Sequence, residues 1–493
     1  MKNSVLIIGI DGATWDLLKP WMNKGYLPTL KRLIDNGSGG YLKTVIPPLS
    51  CSAWVSLFTG KNPGKHGIYD YLTDSGKLVN SKSIKSEKIW QTLSASGKRC
   101  CVINVILTHP VEEINGYMVS GFLTPKDEKV YSYPSELMSI LKKNNYKIMC
   151  DFIPDQKEVS EKRFQFLAEL YDTLEKRYLT LNQFMDEKWD FFMVVFEETG
   201  ILQGFFWDKP DVMLQYFKKV DSYIDGLITK FSSKNENPYT FMVSDHGFNA
   251  APQRYFNFRV WMDENGYIKD KRNFLHKSIP KIYRILTKLK LSKPLFLFKK
   301  PKEIRESFQR KLTGRSDIYY RNPGIYIKRE NLKDSEYEEL RRDLIAKLKQ
   351  INDPLSGSSP FQVVEKREEV YSGNDLKYAP DIVLLPKENY AFNFSYDSNN
   401  VFDDAKFHLP GRHHSSLYGI FLANGKCIRS ASIENISILD IVPTVLHILD
   451  VPIPKDVDGK LLKEIFKKDS HLYNKQIVFS KEQKMAFSGN KQN

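Results

Sequence analysis

The chain has 493 residues, of which 41% are hydrophobic, 13% aromatic and 27% charged. These proportions match folded soluble proteins and exclude a disordered, collagen-like or coiled-coil chain, while the length suits a few domains or one large α/β domain with insertions. The formal charge of +14 is uneven: fourteen Lys/Arg between Lys271 and Lys311 stand against Glu303 and Glu306, a net +12, and the remainder is nearly neutral.

Five cysteines (Cys51, Cys100, Cys101, Cys150, Cys427) with no C-x-x-C pair exclude a disulfide framework or a thiolate metal knot and point to a reducing, cytoplasmic setting. The apolar opening Val5 to Ile10 follows Lys2 and runs straight into Asp11. It is too short for a signal peptide and reads as a buried strand. No stretch reaches the ~18 uninterrupted apolar residues of a membrane-spanning helix, so membrane contact is expected to be peripheral.

In chain order, the first strand leads into Asp11-Gly12, and residues 47–60 read as a tight loop with Ser50 at a helix start, followed by Trp54, Val55, Leu57 and Phe58 at helical spacing. Ile89, Trp90 and Leu93 keep helical spacing before the apolar run Cys100 to Ile106, whose exit carries His109. A second helix follows from Phe164, Phe166, Leu167, Leu170, Tyr171 and Leu174. Phe191 to Phe196 run into Glu197-Glu198-Thr199-Gly200, and Thr240 to Val243 into Ser244-Asp245-His246-Gly247. Further apolar runs are Ile382 to Leu385 and Gly419 to Leu422.

Strands alternating with helices imply an α/β fold with a mainly parallel sheet covered on both faces, where chemistry collects at the carboxyl ends of strands. The basic segment interleaves Lys/Arg with Ile282, Tyr283, Ile285, Leu286 and Leu289, and an apolar knuckle follows Pro294. It reads as a helical insertion whose apolar stripe packs on the parent domain, or as an attachment to anionic lipid or an acidic partner. Nucleic acid is disfavoured because no recognised binding fold accompanies the charge. The expected organisation is a core of residues 1–259 and 321–470, a basic helical insertion or cap at 260–320, and a tail at 471–493.

A carboxylate leaving one strand and an Asp-His pair leaving another supply hard oxygen and borderline nitrogen ligands for a divalent ion, zinc or manganese by type. Ser50 at a helix N-terminus lies where exposed N–H groups hold an anion, and a hydroxyl beside a metal becomes a nucleophile toward phosphorus. Singly, each feature is also what a turn or a packed pair looks like.

Their order is more specific. The segments IDG at 10–12, PPLSCSAWVSLFTGKNPGKHGIYDY at 47–71, VSDHGF at 243–248, PDIVLL at 380–385, GRHHSSLYGIFLANG at 411–425 and LDIVPTVLHILDVPIPKDVDGKLL at 439–462 resemble the alkaline phosphatase superfamily. The nearest likeness is to its type I phosphodiesterase/nucleotide pyrophosphatase branch. That resemblance implies two metal ions clamping a phosphoryl or sulfuryl group and a Ser or Thr attacking in line. It makes Asp11, Ser50, Asp245 and His246 the ligands of one ion, with Ser50 also the nucleophile. The sulfatase branch needs C-x-P-S/A-R, whereas Cys51 is followed by Ser52-Ala53-Trp54-Val55. Nucleotide pyrophosphatases end H-G-I-x-x-N with a phosphate-holding Asn; here the segment runs from His66 to Tyr71, which sets the chain apart from a nucleotide preference.

The larger departure is in Gly200-Ile201-Leu202-Gln203-Gly204-Phe205-Phe206-Trp207, where relatives carry Asp-x-x-x-His before the aromatics. Two ligands of the other ion are thereby replaced by Gly200 and Gly204, leaving His413 or His414, either of which fits the spacing. Glu197, Glu198 and His109 are the residues near enough in sequence to compensate. His66 reads as structural, as do His408, His447 and His471. Two functions follow: a metal-dependent phosphoric ester hydrolase using Ser50 with a degenerate second site, or an impaired member that binds a phosphorylated ligand or a protein partner, at a membrane surface if residues 271–311 anchor it. The expected partners are a phosphorylated small molecule or phosphodiester and an anionic membrane. The cap is placed at 260–320 and parts of 110–185.

Overall fold

A computed structural model describes residues 2–73, 75–155, 158–267, 318–330, 332–394 and 398–480. The basic segment 271–311, and with it the expected helical insertion, lies outside the described residues.

The chain forms two compact units. The first comprises residues 1–252, 367–379 and 406–493 and is built on a ten-stranded sheet. Its first seven strands in chain order are β1 (Asn3–Ile10), β2 (Ser38–Lys43), β3 (Cys100–Val105), β4 (Gly116–Ser120), β5 (Ser132–Tyr133), β6 (Phe191–Phe196) and β7 (Asn237–Val243). β1 lies at the centre, parallel to β6 on one side and β7 on the other, with Ile7 opposite Met193 and Phe241. β3 continues the parallel run from β6 to β4, and Tyr418–Gly425 enters antiparallel between β7 and β2.

β1 is buried at every position, as a central strand covered on both faces must be. Its alternation sorts the two cores: Val5 and Ile7 join Trp54, Phe58 and Trp90, while Leu6, Ile8 and Ile10 join Trp15, Phe166, Phe206 and Tyr216. Helix Ser50–Thr59 belongs to the first layer, and nine of its ten residues are buried. Helix Val159–Phe184 belongs to the second and carries the periodicity expected from Phe166, Leu170 and Leu174. All five cysteines are buried and unpaired. No described helix is long and apolar enough to cross a membrane.

The second unit, residues 253–366 and 380–405, has its own four-stranded antiparallel sheet, a three-stranded sheet and helix Asp334–Lys349 around Phe256, Trp261, Leu344 and Ile382. Arg254 holds it together by bonding Asp353 through Nε and Asp404 through Nη1. Ile382–Pro386, expected as a strand of the main sheet, pairs here instead with Gly324–Ile327 and Phe361–Lys366. The division therefore differs from the sequence-based boundaries: residues 321–366 have a core of their own, and the start of the expected tail is folded, with Leu472 buried in the first unit.

Candidate active site

The carboxyl edge of the sheet brings the sequence-distant residues together within the first unit. β1 ends at Asp11, and Gly12 turns the chain with φ of 66°, a left-handed conformation that glycine adopts without steric cost. β7 ends in Ser244-Asp245-His246, and all three side chains are buried. The Gly12 N–H donates to Asp245 Oδ1 at 3.2 Å, tying the first exit to the second. Ser50 is the first residue of helix Ser50–Thr59, and its Oγ lies 3.1 Å from His246 Nε2.

Ligand atoms of Asp11, Asp245 and His246 all lie within 4.8 Å of one another; among the described residues no other trio of Asp, Glu, His or Cys converges in this way. His246 Nδ1 is 2.9 Å from the Gly247 carbonyl, which assigns the ring proton to Nδ1 and makes Nε2 the acceptor that Ser50 Oγ approaches. The same nitrogen faces Asp245 Oδ2 at 3.1 Å, and the oxygen is buried with no hydrogen-bond partner. Two buried acceptors this close require a shared proton or a cation between them. The donor set therefore fits the divalent ion that the sequence leads one to expect.

The electrostatics agree. Burial pushes Asp245 up to about 7, and burial together with the Asp245 charge holds Asp11 well above the usual carboxylate range. Burial lowers His246 to about 4, so the imidazole is neutral at neutral pH. Carboxylates that resist ionisation beside a neutral imidazole are what a cation site looks like with its charge removed.

His413 stacks on His246 with ring centroids 4.2 Å apart and 6° between planes. Its Nδ1 is 3.1 Å from the Pro48 carbonyl, and burial followed by the His246 ring keeps it neutral. His414 is exposed and stands edge-on to His413 at 4.7 Å. The two histidines left open by spacing are thus placed differently: His413 lies against His246, and His414 contacts the His413 ring from an exposed position. Neither belongs to the converging trio.

Helix Glu198–Phe206 carries Gly200 and Gly204. Gly200 lies directly against the Asp11 carboxylate, and a Cβ on Gly204 would meet only the Phe248 ring, at 3.9 Å. The compensating residues suggested by sequence do not join the trio. Glu198 ion-pairs with buried Arg177 at 2.8 Å, and His109 lies 3.5 Å from Glu128. Glu197 lies outside the converging group, though Asp11 and Asp245 act on it and, after burial, raise it well above its ordinary value.

Three residues to which the sequence reading assigns no role at the site hold the Asp11 turn in place. The Trp54 indole donates to Asp11 Oδ2 at 3.3 Å, the Thr199 hydroxyl to the Asp11 carbonyl at 2.8 Å, and the Gln203 amide to the Gly12 carbonyl at 3.1 Å. The available signal is Thr199 and Gln203 at i, i+4 in a helix otherwise apolar after Glu198, a spacing that puts both on one face. His66 is structural in its contacts, accepting from Ile68 N at 3.2 Å and pairing with Ser56 at 2.8 Å.

Comparison with known proteins follows the same lines. A family model described as type I phosphodiesterase/nucleotide pyrophosphatase matches residues 5–416. No curated protein matches the chain by sequence. Among solved structures, murine ectonucleotide pyrophosphatase/phosphodiesterase 5 is similar at 16% identity and a TM-score of 0.53, over 94% of this chain and 100% of that one. An inactive variant of that murine protein is in complex with AMP. Phosphonoacetate hydrolase from Sinorhizobium meliloti 1021, in complex with phosphonoacetate, is similar at 15% identity and a TM-score of 0.58, over 91% of this chain and 96% of that one. A mutant of the alkaline phosphatase PafA is similar at 16% identity and a TM-score of 0.54, over 94% and 98%. At these identities the structures speak for a shared fold, and the family match rests on the sequence itself. With the sheet, the strand exits and the family match in agreement, this chain belongs to the type I phosphodiesterase/nucleotide pyrophosphatase family.

Proposed function

We propose that the protein is a hydrolase of phosphoric esters in which Ser50 is the nucleophile and one divalent cation, zinc or manganese, is held by Asp11, Asp245 and His246. The observation that carries this reading is the 3.1 Å approach of Ser50 Oγ to His246 Nε2 beside the unpartnered Asp245 Oδ2. When bound, such a cation lowers the pKa of a neighbouring hydroxyl and balances charge developing on phosphoryl oxygens.

The chain's own part is positional. Helix Ser50–Thr59 aims its N-terminus, with its exposed N–H groups, at the place an anionic phosphoryl group would take. Ser50 Oγ forms a bond to phosphorus as the bond to the leaving oxygen breaks, and the serine proton ends on the departing alcohol. Water then cleaves the phosphoserine and returns the hydroxyl. The AMP held by an inactive variant of the murine protein and the phosphonate held by the phosphonoacetate hydrolase support a phosphorylated small molecule or a phosphodiester as substrate.

Gly200 and Gly204 support a second reading, in which the chain binds a phosphorylated ligand or a protein partner without turning it over. Glycine offers no side-chain donor, and a second ion lacking two ligands is lost or weakly held. In this proposal His413, stacked on His246, is the surviving ligand position rather than His414. A cytoplasmic setting and peripheral attachment to an anionic membrane through residues 271–311 complete the proposal, on the net +12 of that segment.

Elemental analysis with hydrolysis of bis(4-nitrophenyl) phosphate and 4-nitrophenyl phosphate decides between the readings. Turnover that Ser50→Ala abolishes, with an ion bound, supports the hydrolase. An ion-bound protein without turnover supports the binding protein.

A further inference from the structure

The outer edge of the main sheet carries a cavity whose walls take no part in the site described above. β2 lies at that edge, and two short strands cover it incompletely: Ala431–Ser432 pairs with Ser38 and Gly39, and Ile436–Ser437 with Leu42 and Lys43. Between them the ladder is interrupted, and Asn435 takes the left-handed conformation with φ of 56°. This loop, helix Trp15–Asn23 and the end of helix Pro28–Asp35 line a cavity of about 640 Å³ that is open to solvent. The volume lies within the range of small-molecule sites.

The lining joins an aromatic surface to polar groups of both kinds. Tyr41 is 45% exposed, and Tyr418, 48% exposed on the adjoining strand, meets its ring edge-on at 6.4 Å. The Trp15 indole is fixed by its N–H, which donates to the Gly40 carbonyl at 2.7 Å. Exposed aromatic surface rimmed by polar groups marks a contact site. The Lys19 ammonium stands 4.9 Å from the centre of the Tyr41 ring and 5.5 Å from that of Trp15, and among the described residues no carboxylate pairs with it. Glu434 and Asn435 bring an exposed carboxylate and an exposed amide from the interrupted ladder. The Asp35 carboxylate, by contrast, is taken up by Lys31 at 2.5 and 2.6 Å.

Such a lining selects among ligand classes. An anion gains from Lys19 and is opposed by Glu434, and for a cation the reverse holds. A hydroxyl donates and accepts at once, so both charged groups and the Asn435 amide serve it together. The face of an aromatic ring is negatively polarised and attracts C–H hydrogens. A ring with hydroxyls around its rim and C–H bonds on its face satisfies the whole set. We propose that the cavity is a sugar-binding site, in which a neutral pyranose lies with its C–H face on Tyr41 and its hydroxyls between Lys19, Glu434 and Asn435. The exposed Lys19 turns from the Tyr41 ring to a hydroxyl, an exchange that costs little because cation–π contacts at exposed sites are weak. The site does not depend on the reading of Ser50 as nucleophile.

Ligand-observed saturation-transfer NMR on the full chain tests it with glucose, maltose, cellobiose and N,N′-diacetylchitobiose, and with glucuronate as the charged control. Saturable transfer to the ring C–H protons of at least one neutral sugar is expected, with a Kd of about 1 mM. Disaccharides bound more tightly than glucose mark a glycan chain as the ligand, and equal affinities a free sugar; either supports the site. Tyr41→Ala is expected to weaken binding about tenfold and Tyr41→Phe to leave it unchanged, because the sugar uses the ring face. Glu434→Gln, on an exposed loop, is expected to weaken it about fivefold, and it carries the test where Tyr41→Ala fails to fold. Ser50→Ala is expected to bind as the wild type does. No saturable binding of any neutral sugar would overturn the proposal. Binding of glucuronate alone, undiminished binding by Tyr41→Ala, or loss of binding in Ser50→Ala would do the same, the last by placing the sugar at the catalytic cluster.

Discussion

A Cβ placed on Gly200 would overlap Asp11 Oδ1 and stand 2.9 Å from Asp11 Cγ. The carboxylate thus fills the space of the missing side chain and lies against the start of helix Glu198–Phe206, where the free N–H groups of the first turn favour a negative charge. Gly204, one turn on, has only ordinary contact with Phe248. The two glycines are therefore not equivalent: Gly200 is required by Asp11 where it sits, and Gly204 is not.

Gly200→Ala is expected to displace Asp11 and weaken zinc binding by at least about tenfold, because a coordinating carboxylate tolerates only ~0.2 Å of error. Gly204→Ala should leave zinc affinity unchanged and stabilise the fold by about 0.5–1 kcal/mol through helix propensity. Calorimetric zinc titration and thermal melts on both variants check the pair. Equal effects at the two positions would contradict the asymmetry.

Cation affinity should depend on pH through Asp245. With its carboxyl raised to about 7, and Asp11 also held above the usual carboxylate range, the ion must displace protons at lower pH, so affinity falls at least about tenfold for each pH unit below that value. His246, lowered to about 4, contributes no proton in this range. Titrations at pH 6 in buffers of different ionisation enthalpy should show one or more protons released per ion. Affinity independent of pH between 5.5 and 7 would count against the site.

His66 is held neutral by burial, followed by the Lys61 charge, at about 3. An unfolded histidine titrates near ~6.5. Because the native value is depressed, its contribution to stability is complete above about pH 6.5 and is lost as pH falls toward about 3. His66→Asn, whose Oδ1 can accept from Ile68 N in place of Nδ1, should flatten the acid limb of the stability curve by about 1.4 kcal/mol per pH unit between 6.5 and 4. Urea unfolding at several pH values measures it, and parallel curves for the two proteins would refute it.

Arg177 is buried, donates to the Val195 carbonyl at 3.0 Å and the Ile148 carbonyl at 2.9 Å, and pairs with Glu198 at 2.8 Å. Glu198→Ala leaves a buried cation without its counter-charge, at a cost of about 3–5 kcal/mol. Removing both charges together, as Arg177→Met with Glu198→Leu, should cost less than Glu198→Ala alone. Denaturant melts of the single and double variants test this, and a double variant less stable than the single would show that the pair holds by more than charge.

The strands were legible wherever apolar residues run unbroken. Val5 to Ile10 and Phe191 to Phe196 are central and buried on both faces, so their pattern needs no partner to be read. β2, Ser38–Lys43, was not legible, because its SGGYLK sequence has neither an apolar run nor a strong alternation and is held as a strand by pairing with Tyr418–Gly425. Ile382–Pro386 was recognised as a strand but assigned to the wrong sheet, since an apolar run does not state which neighbours bury it.

The candidate site divides in the same way. Asp11, Ser50, Asp245 and His246 could be named from strand exits, a helix start and family order, because those are properties of chain segments. That Asp245 Oδ2 lacks a partner, that His413 rather than His414 stacks on His246, and that Trp54, Thr199 and Gln203 hold the Asp11 turn depend on residues far apart in sequence meeting at one sheet edge. The sequence by itself determined which chemical groups are present and the order in which the chain delivers them. Only the tertiary structure decided which groups face one another, because burial, orphaned acceptors and shifted proton affinities arise from spatial neighbours, and sequence distance carries no record of them.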